Sequence, residues 1–232
     1  MVFLQALWVR KRTVVLPEPQ GERVFCSTNS NELPSTNILI VGDSAAAGVG
    51  AESQEGALAG LIYLHLSQHG PSRVSLHAKT GYKSEDVRNL LHQIPEQCFS
   101  STIVSMGVND VTKFVSINRW RRNIEAICAL LNTKFSCRHI LFTALPPIHA
   151  FPALPQPLRG LLGLRALLLN QALKESIAAR TDADILYVRA LHFGKSAKDA
   201  GKSGLMAKDG FHPSTQGYEI WARSALAHLR SS

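Results

Sequence analysis

The chain has 232 residues, 45% of them hydrophobic and 18% charged, with 25 Lys and Arg against 17 Asp and Glu. That apolar share excludes a disordered chain and suffices for one sizeable core. The resulting net charge of +8 permits attraction to anionic surfaces or nucleic acid without selecting either.

The first segment, "MVFLQALWVRKR", is no signal peptide by pattern, because its basic residues follow the apolar run instead of preceding it. It reads as an arm packed on the domain; contact of Trp8 and the basic flank with a membrane surface is the other reading. Residues 1–36 lack clear periodicity and end in the turn-rich "STNSNELPSTN", so they read as an arm and linker, with a single domain over 37–232.

From residue 37 short apolar runs alternate with longer amphipathic ones. "NILIV" is a predicted strand; Ser53 then caps a helix through "QEGALAGLIYLHLSQHG". "RVSLHAK" is the second strand, "SEDVRNLLHQI" a helix stopped by Pro95, and "STIVSMG" the third strand. A helix near 118–133 opens with "NRWRRN", read as a solvated basic face. "RHILFTALPP" is the fourth strand, followed by a proline-rich loop and a helix over roughly 161–180. "GLLGLRALLL" in that helix is interrupted by Arg165 and falls short of the ~20 apolar residues of a membrane span. "ADILYV" is the fifth strand, and a last helix starts near Ser214. Five strands alternating with five helices predict an α/β fold, a parallel sheet covered on both faces.

In such sheets ligands bind outside the carboxyl ends of the strands. Three strands deliver polar or glycine-bearing turns there: Gly42-Asp43-Ser44, Thr80-Gly81, and Gly107-Val108-Asn109-Asp110. A serine needs a base, and most of the nine histidines fall within strands or helices. His212 instead sits in the loop "KDGFHPS", where one turn brings Asp209 within reach of its imidazole. The Ser44 N–H, the Gly81 N–H and the Asn109 amide are candidate donors for an oxyanion. Taken singly, each has a plainer reading as a turn or a cap.

The ordered set "GDS", "TGY", "GVND" and "DGFHP" resembles the blocks of the SGNH (GDSL) hydrolase family from about residue 37 onward. The tracts "GDSAAAGVGAESQEGALAG" and "LPP…FPALPQPLRGLLGLRALLLN" are similar to a bacterial subgroup of arylesterases and esterases linked to N-acyl amino acids. Ala45 stands where the family name has leucine. The resemblance implies a flavodoxin-like three-layer α/β/α sandwich on a five-stranded parallel sheet. It implies Ser44 as nucleophile, His212 as base and then acid, Asp209 as orienting carboxylate, and Ser44, Gly81 and Asn109 as the oxyanion hole. No metal or cofactor is implied, and Asp110 would support the Asn109 loop. The expected reaction is hydrolysis of short- to medium-chain acyl or aryl esters, or lipid-like ones, through an acyl-enzyme. Lysophospholipase, thioesterase and carbohydrate deacetylase activities are alternatives on the same site.

Rival readings are weaker. "GVGAES" lacks the third glycine of a dinucleotide fingerprint, and the two G-K-S triplets in "FGKSAKDAGKSG" lack the upstream glycine of a phosphate loop. That tract reads as a mobile basic loop near His212. No nucleic-acid-binding motif accompanies the positive charge. Cys26, Cys98, Cys128 and Cys137 have no metal-ligand or redox spacing. Reduced thiols are the simplest account, Cys128 as a buried one, which places the expected location in the cytoplasm. The proline-rich loop, with Phe151, Leu154 and Leu158, is read equally as the wall of an acyl pocket or as packing on the adjacent helix.

Overall fold

Ile38, Leu39, Ile40 and Val41 are all buried, although successive strand residues point to opposite faces. A strand apolar on both sides must be covered on both sides, and the computed structural model shows how. It describes residues 2–27, 34–151, 153–186 and 204–231. Outside these lie residues 28–33 of the turn-rich linker, Tyr187 and Val188 of the fifth predicted strand, and residues 193–203 of the Gly/Lys/Ser tract.

The strands are β1 (Val24–Cys26), β2 (Thr36–Gly42), β3 (Ser72–Ala78), β4 (Ser101–Ser105), β5 (His139–Thr143) and β6 (Ala183–Leu186). They form one sheet in the order β1-β3-β2-β4-β5-β6. Five are parallel, in register through Ile40 against both Leu76 and Ile103. Their relative order is the flavodoxin-like one, with the reversal between β2 and β4. The sheet has six strands instead of the expected five because β1 adds an antiparallel edge beside β3. Three residues among polar neighbours are too few for a period-2 pattern, which is why this strand is invisible in the sequence.

On one face Leu39, Val41, Val104 and Phe142 pack under α3 (Ser84–Gln93), α5 (Ile117–Thr133) and α6 (Leu158–Ile177). On the other, Ile38, Ile40, Ile103 and Leu141 pack under α2 (Leu58–Ser67) and α7 (Thr215–Ser231). The result is the expected three-layer α/β/α sandwich. Two further helices were not apparent in the sequence: α1 (Val2–Arg12), which packs beside α6, and the single turn α4 (Val108–Thr112).

Helix boundaries moved for identifiable reasons. The helix expected from Ser53 begins as a 3-10 turn, Gln54–Gly56, and only becomes α2 at Leu58. Gln54 is wholly buried there, and its side-chain amide donates to the carbonyls of Pro19 (3.3 Å) and Ala47 (3.0 Å). The last helix starts where expected: the Ser214 hydroxyl accepts from the Gly217 N–H at 3.3 Å. Within "NRWRRN", Trp120 is buried and donates its indole N–H to the Leu169 carbonyl at 3.0 Å, while Arg119 and Arg122 remain exposed. Cys128 is a buried free thiol, raised to about 11 by burial. Among the described residues no helix is long and apolar enough to cross a membrane.

Candidate active site

The site lies at the carboxyl edge of the sheet, at the reversal between β2 and β4. Gly42 ends β2 there, and a Cβ on it would come within 1.9 Å of the Ser105 carbonyl oxygen, so the strands can meet only at a glycine. The chain then turns, with the Asp43 N–H donating to that same carbonyl at 3.0 Å, and presents Ser44 half-buried above the sheet.

The small residues after Ser44 serve packing. Ala46 and Ala47 are buried in the core beneath α2 and α7. Gly50 lies against the His212 segment, where a Cβ would sit 2.2 Å from the Pro213 carbonyl oxygen and 3.3 Å from the His212 Cβ. The Tyr218 hydroxyl, from α7, is near the carbonyls of Ala45 (3.0 Å) and Val49 (2.8 Å). This tract is therefore the seat on which the histidine loop rests.

His212 Nε2 lies 2.8 Å from the Ser44 Oγ, and His212 Nδ1 lies 2.5 Å from the Asp209 Oδ2. A carboxylate cannot donate, so in the neutral imidazole the proton sits on Nδ1 and Nε2 accepts the serine hydroxyl. The other Asp209 oxygen accepts the N–H groups of Phe211 (2.9 Å) and His212 (3.1 Å). Burial raises the Asp209 carboxyl, but the hydrogen bonds from His212 and these two N–H groups outweigh it and hold it below the ordinary carboxylate range. The three side chains predicted for the proton relay are thus connected in the expected order.

Of the predicted oxyanion donors, Ser44 and Asn109 line one cleft, and Gly81 follows Thr80 on its wall. Neither the Ser44 N–H nor the Gly81 N–H has an acceptor among the described residues. Gly81 holds φ at +88°, which favours glycine, and a Cβ there would meet nothing within 4 Å. Asn109 donates one amide hydrogen to the Tyr82 carbonyl at 3.0 Å, which leaves the second for a ligand. Asp110 is wholly buried and accepts from the Ser84 N–H (2.9 Å) and hydroxyl (2.5 Å), tying α4 to the start of α3.

A cleft of about 450 Å³ contains Ser44, Asn109, Asp209 and His212, with Thr80 beside Gly81 on its wall. Its remaining lining is largely apolar, including Val49, Met106, Leu145, Phe151, Met206 and Phe211. The proline-rich loop divides between its two readings. Phe151 lines the cleft and meets Phe211 edge-on at 5.7 Å, whereas Leu154 and Leu158 are buried in the core. Ala45 also lines the cleft, so a longer side chain there would have occupied some of it.

Sequence reasoning missed two contributors. Residues Thr13–Leu16 line the cleft although they precede the first parallel strand. Glu18 accepts from the Thr80 N–H at 2.7 Å and pairs with Arg23, which donates to the Ala78 carbonyl at 2.7 Å. Together they fasten the turn that carries Gly81. No periodicity or spacing in the first 36 residues signals either contact.

Asp43 is buried beside the serine, with one oxygen accepting the Ala45 N–H at 3.1 Å. Burial pushes its carboxyl up to about 7; the Ala45 bond and His212 oppose the rise, and Asp110 adds to it. The unfolded value is about 3.9, so between these limits the folded chain holds a proton that the unfolded chain has lost. Stability attributable to this group therefore falls as pH rises from about 4 to about 7. Asp43→Asn keeps an acceptor for Ala45 without the charge. Its melting temperature relative to wild type should increase between about pH 5 and about pH 8. Thermal unfolding at both values checks this, and an unchanged difference refutes it.

A serine, an imidazole and a carboxylate thus lie in series at the switch point of a flavodoxin-like sheet. Residues 40–220 match the GDSL-like lipase/acylhydrolase family, and the chain belongs to it. A GDSL-like esterase of Mycobacterium tuberculosis is 25% identical over 210 residues, covering 87% of this chain and 64% of that protein. The chain thus spans a little under two thirds of that relative's length. Among solved structures, a lipase/acylhydrolase from Enterococcus faecalis superposes with a TM-score of 0.61 at 19% identity, covering 84% of this chain and 96% of that one. A G-D-S-L lipolytic family member from Veillonella parvula gives 0.64 at 15% identity, covering 83% and 97%. At these identities the two structures are alike in fold.

Proposed function

We propose that this protein hydrolyses carboxylic esters of short- to medium-chain acyl groups through an acyl-enzyme on Ser44. The observation that carries the reading is the unbroken series from Ser44 through His212 to the buried Asp209. In this mechanism His212 Nε2 takes the serine proton as Oγ attacks the ester carbonyl, and the resulting imidazolium is stabilised by Asp209. The tetrahedral oxyanion is met by the N–H groups of Ser44 and Gly81 and the free amide hydrogen of Asn109. Collapse releases the alcohol, which takes the proton back from His212, and water repeats the sequence to free the acid.

The apolar cleft supports an acyl or aryl group over a carbohydrate, because a sugar would leave its hydroxyls facing side chains such as Met106 and Phe151. Its volume of about 450 Å³ falls within the usual range for small-molecule sites.

An aryl-ester panel of rising acyl length tests the reading. Activity should persist through medium chains and fall once the acyl group outgrows the cleft; no hydrolysis of any member would refute it. Asn109→Ala should cost about 10²- to 10³-fold in turnover while KM changes little, as expected for a donor used mainly in the transition state. Equal loss in KM and none in kcat would assign Asn109 to ground-state binding instead.

A further inference from the structure

Helix α1 is turned inside out. Its polar Gln5 faces the protein, donating to the Gln156 carbonyl at 2.7 Å and accepting from the Leu158 N–H at 3.3 Å. Val9, one turn on, packs against the core. The apolar Leu4, Leu7 and Trp8 point outward, Leu4 being 68% exposed and Trp8 49%. Spacing of i, i+3 and i+4 puts these three on one face. Beyond the helix Val14 and Val15 are exposed as well, the latter at 87%. The neighbouring α6 adds an outward stripe of Leu161, Leu164 and Leu168. Near α4, Phe114 is exposed, with the Arg165 guanidinium 4.8 Å from its ring. Scattered exposed leucines are ordinary, but a helix whose apolar face points outward marks a docking surface.

Charge indicates what docks. Residues 1–17 and 153–174 contain no Asp or Glu. They do contain Lys11 and Arg12, both exposed, with the Arg12 guanidinium 4.7 Å from the Trp8 ring. Apolar anchors, an outward tryptophan and a flank of cations with no acidic partner among the described residues are what an anionic lipid surface binds. A protein partner would bring no general need for that one-signed flank.

We propose that α1, together with the outer stripe of α6, docks the protein on anionic membranes. Thr13–Leu16 run directly from this helix into the cleft wall, so the docked face delivers lipid-dissolved esters to the mouth of the site. The delivery step rests on the esterase reading; the docking does not.

Sedimentation with phosphatidylglycerol-containing vesicles tests the docking. Wild type should bind them, bind pure phosphatidylcholine at least about 10-fold more weakly, and be released by salt. Trp8 reports the contact directly, since Trp120 and Trp221 are both buried, and brominated lipids should quench its fluorescence. Leu4→Glu with Leu7→Glu, and separately Lys11→Glu with Arg12→Glu, should each lower vesicle affinity by about 10-fold or more. Hydrolysis of a water-soluble ester should be unchanged in these variants, while hydrolysis of a vesicle-borne ester falls. Equal binding to both vesicle types, or none to either, overturns the proposal. So does a wild-type dimer that the Leu4/Leu7 pair disrupts without vesicle binding, which would make the face a self-association surface. Vesicle binding without hydrolysis of the soluble ester would leave docking intact and refute the esterase reading.

Discussion

Ser44→Ala is expected to lower ester turnover by at least about 10⁴-fold, with the protein still folded. The substitution removes one oxygen and one hydrogen bond, that to His212 Nε2. The Ser44 N–H and the backbone turn on Ser105 do not depend on the hydroxyl. A single half-buried hydrogen bond is worth about 1 kcal/mol, so the melting temperature should shift by a few degrees at most. A fluorophosphonate should add its mass to the Ser44 peptide in wild type and not in the variant. The residual rate, from the oxyanion donors and substrate binding, should still exceed the uncatalysed one. Undiminished turnover, or labelling that survives the substitution, would remove Ser44 from the mechanism. A collapsed melting temperature with lost activity would instead make the hydroxyl a fold determinant, which its single hydrogen bond argues against.

How far the sequence disclosed this site depends on how each part is encoded. The parallel strands were legible as short apolar runs, of which Ile38 to Val41, buried on both faces, is the clearest, although Ser75 and Thr102 are buried in two others. Their carboxyl ends were legible in turn, because glycine and small polar residues mark where a chain leaves a sheet. Ser44 and Asn109 could then be placed on one edge, and the resemblance to the SGNH family added the Asp209–His212 turn to them. The role of the alanine and glycine tract was not legible. Gly50 is small because the Pro213 carbonyl occupies the space its side chain would need. That contact joins residues more than 160 positions apart and leaves no local pattern. The same is true of Glu18 on Thr80 and of Thr13–Leu16 on the cleft. These are tertiary contacts made by a segment whose own sequence has no period. Helix α1 was missed for a different reason: its apolar Leu4, Leu7 and Trp8 point away from the domain, so no core-facing apolar stripe marks it.

His212→Ala should be as damaging as Ser44→Ala, about 10⁴-fold or more in turnover, because an unassisted serine hydroxyl is a poor nucleophile. The sharper result comes from combining them. If the two residues act as one unit, Ser44→Ala with His212→Ala should be scarcely slower than either alone. Losses that multiplied would mean independent roles and would break the proposed relay. Asp209→Asn extends the argument to the third member. The carboxylate that accepts from His212 Nδ1 would be replaced by an amide able to donate there, favouring the tautomer whose Nε2 bears the proton. That nitrogen could no longer accept from Ser44, and a fall of about 10²- to 10⁴-fold in turnover is expected. Asp209 also has a signature in stability. Its folded value is depressed, so its contribution is fully present above the unfolded value of about 3.9 and is lost as pH falls through the folded one. Asp209→Asn should therefore be less stable than wild type near neutrality, and the gap should narrow as the solution is acidified through that range. A gap that stayed constant in thermal unfolding across the acid range would mean that the ionised carboxylate does not hold the loop. The loss of turnover would then have to come from the tautomer alone.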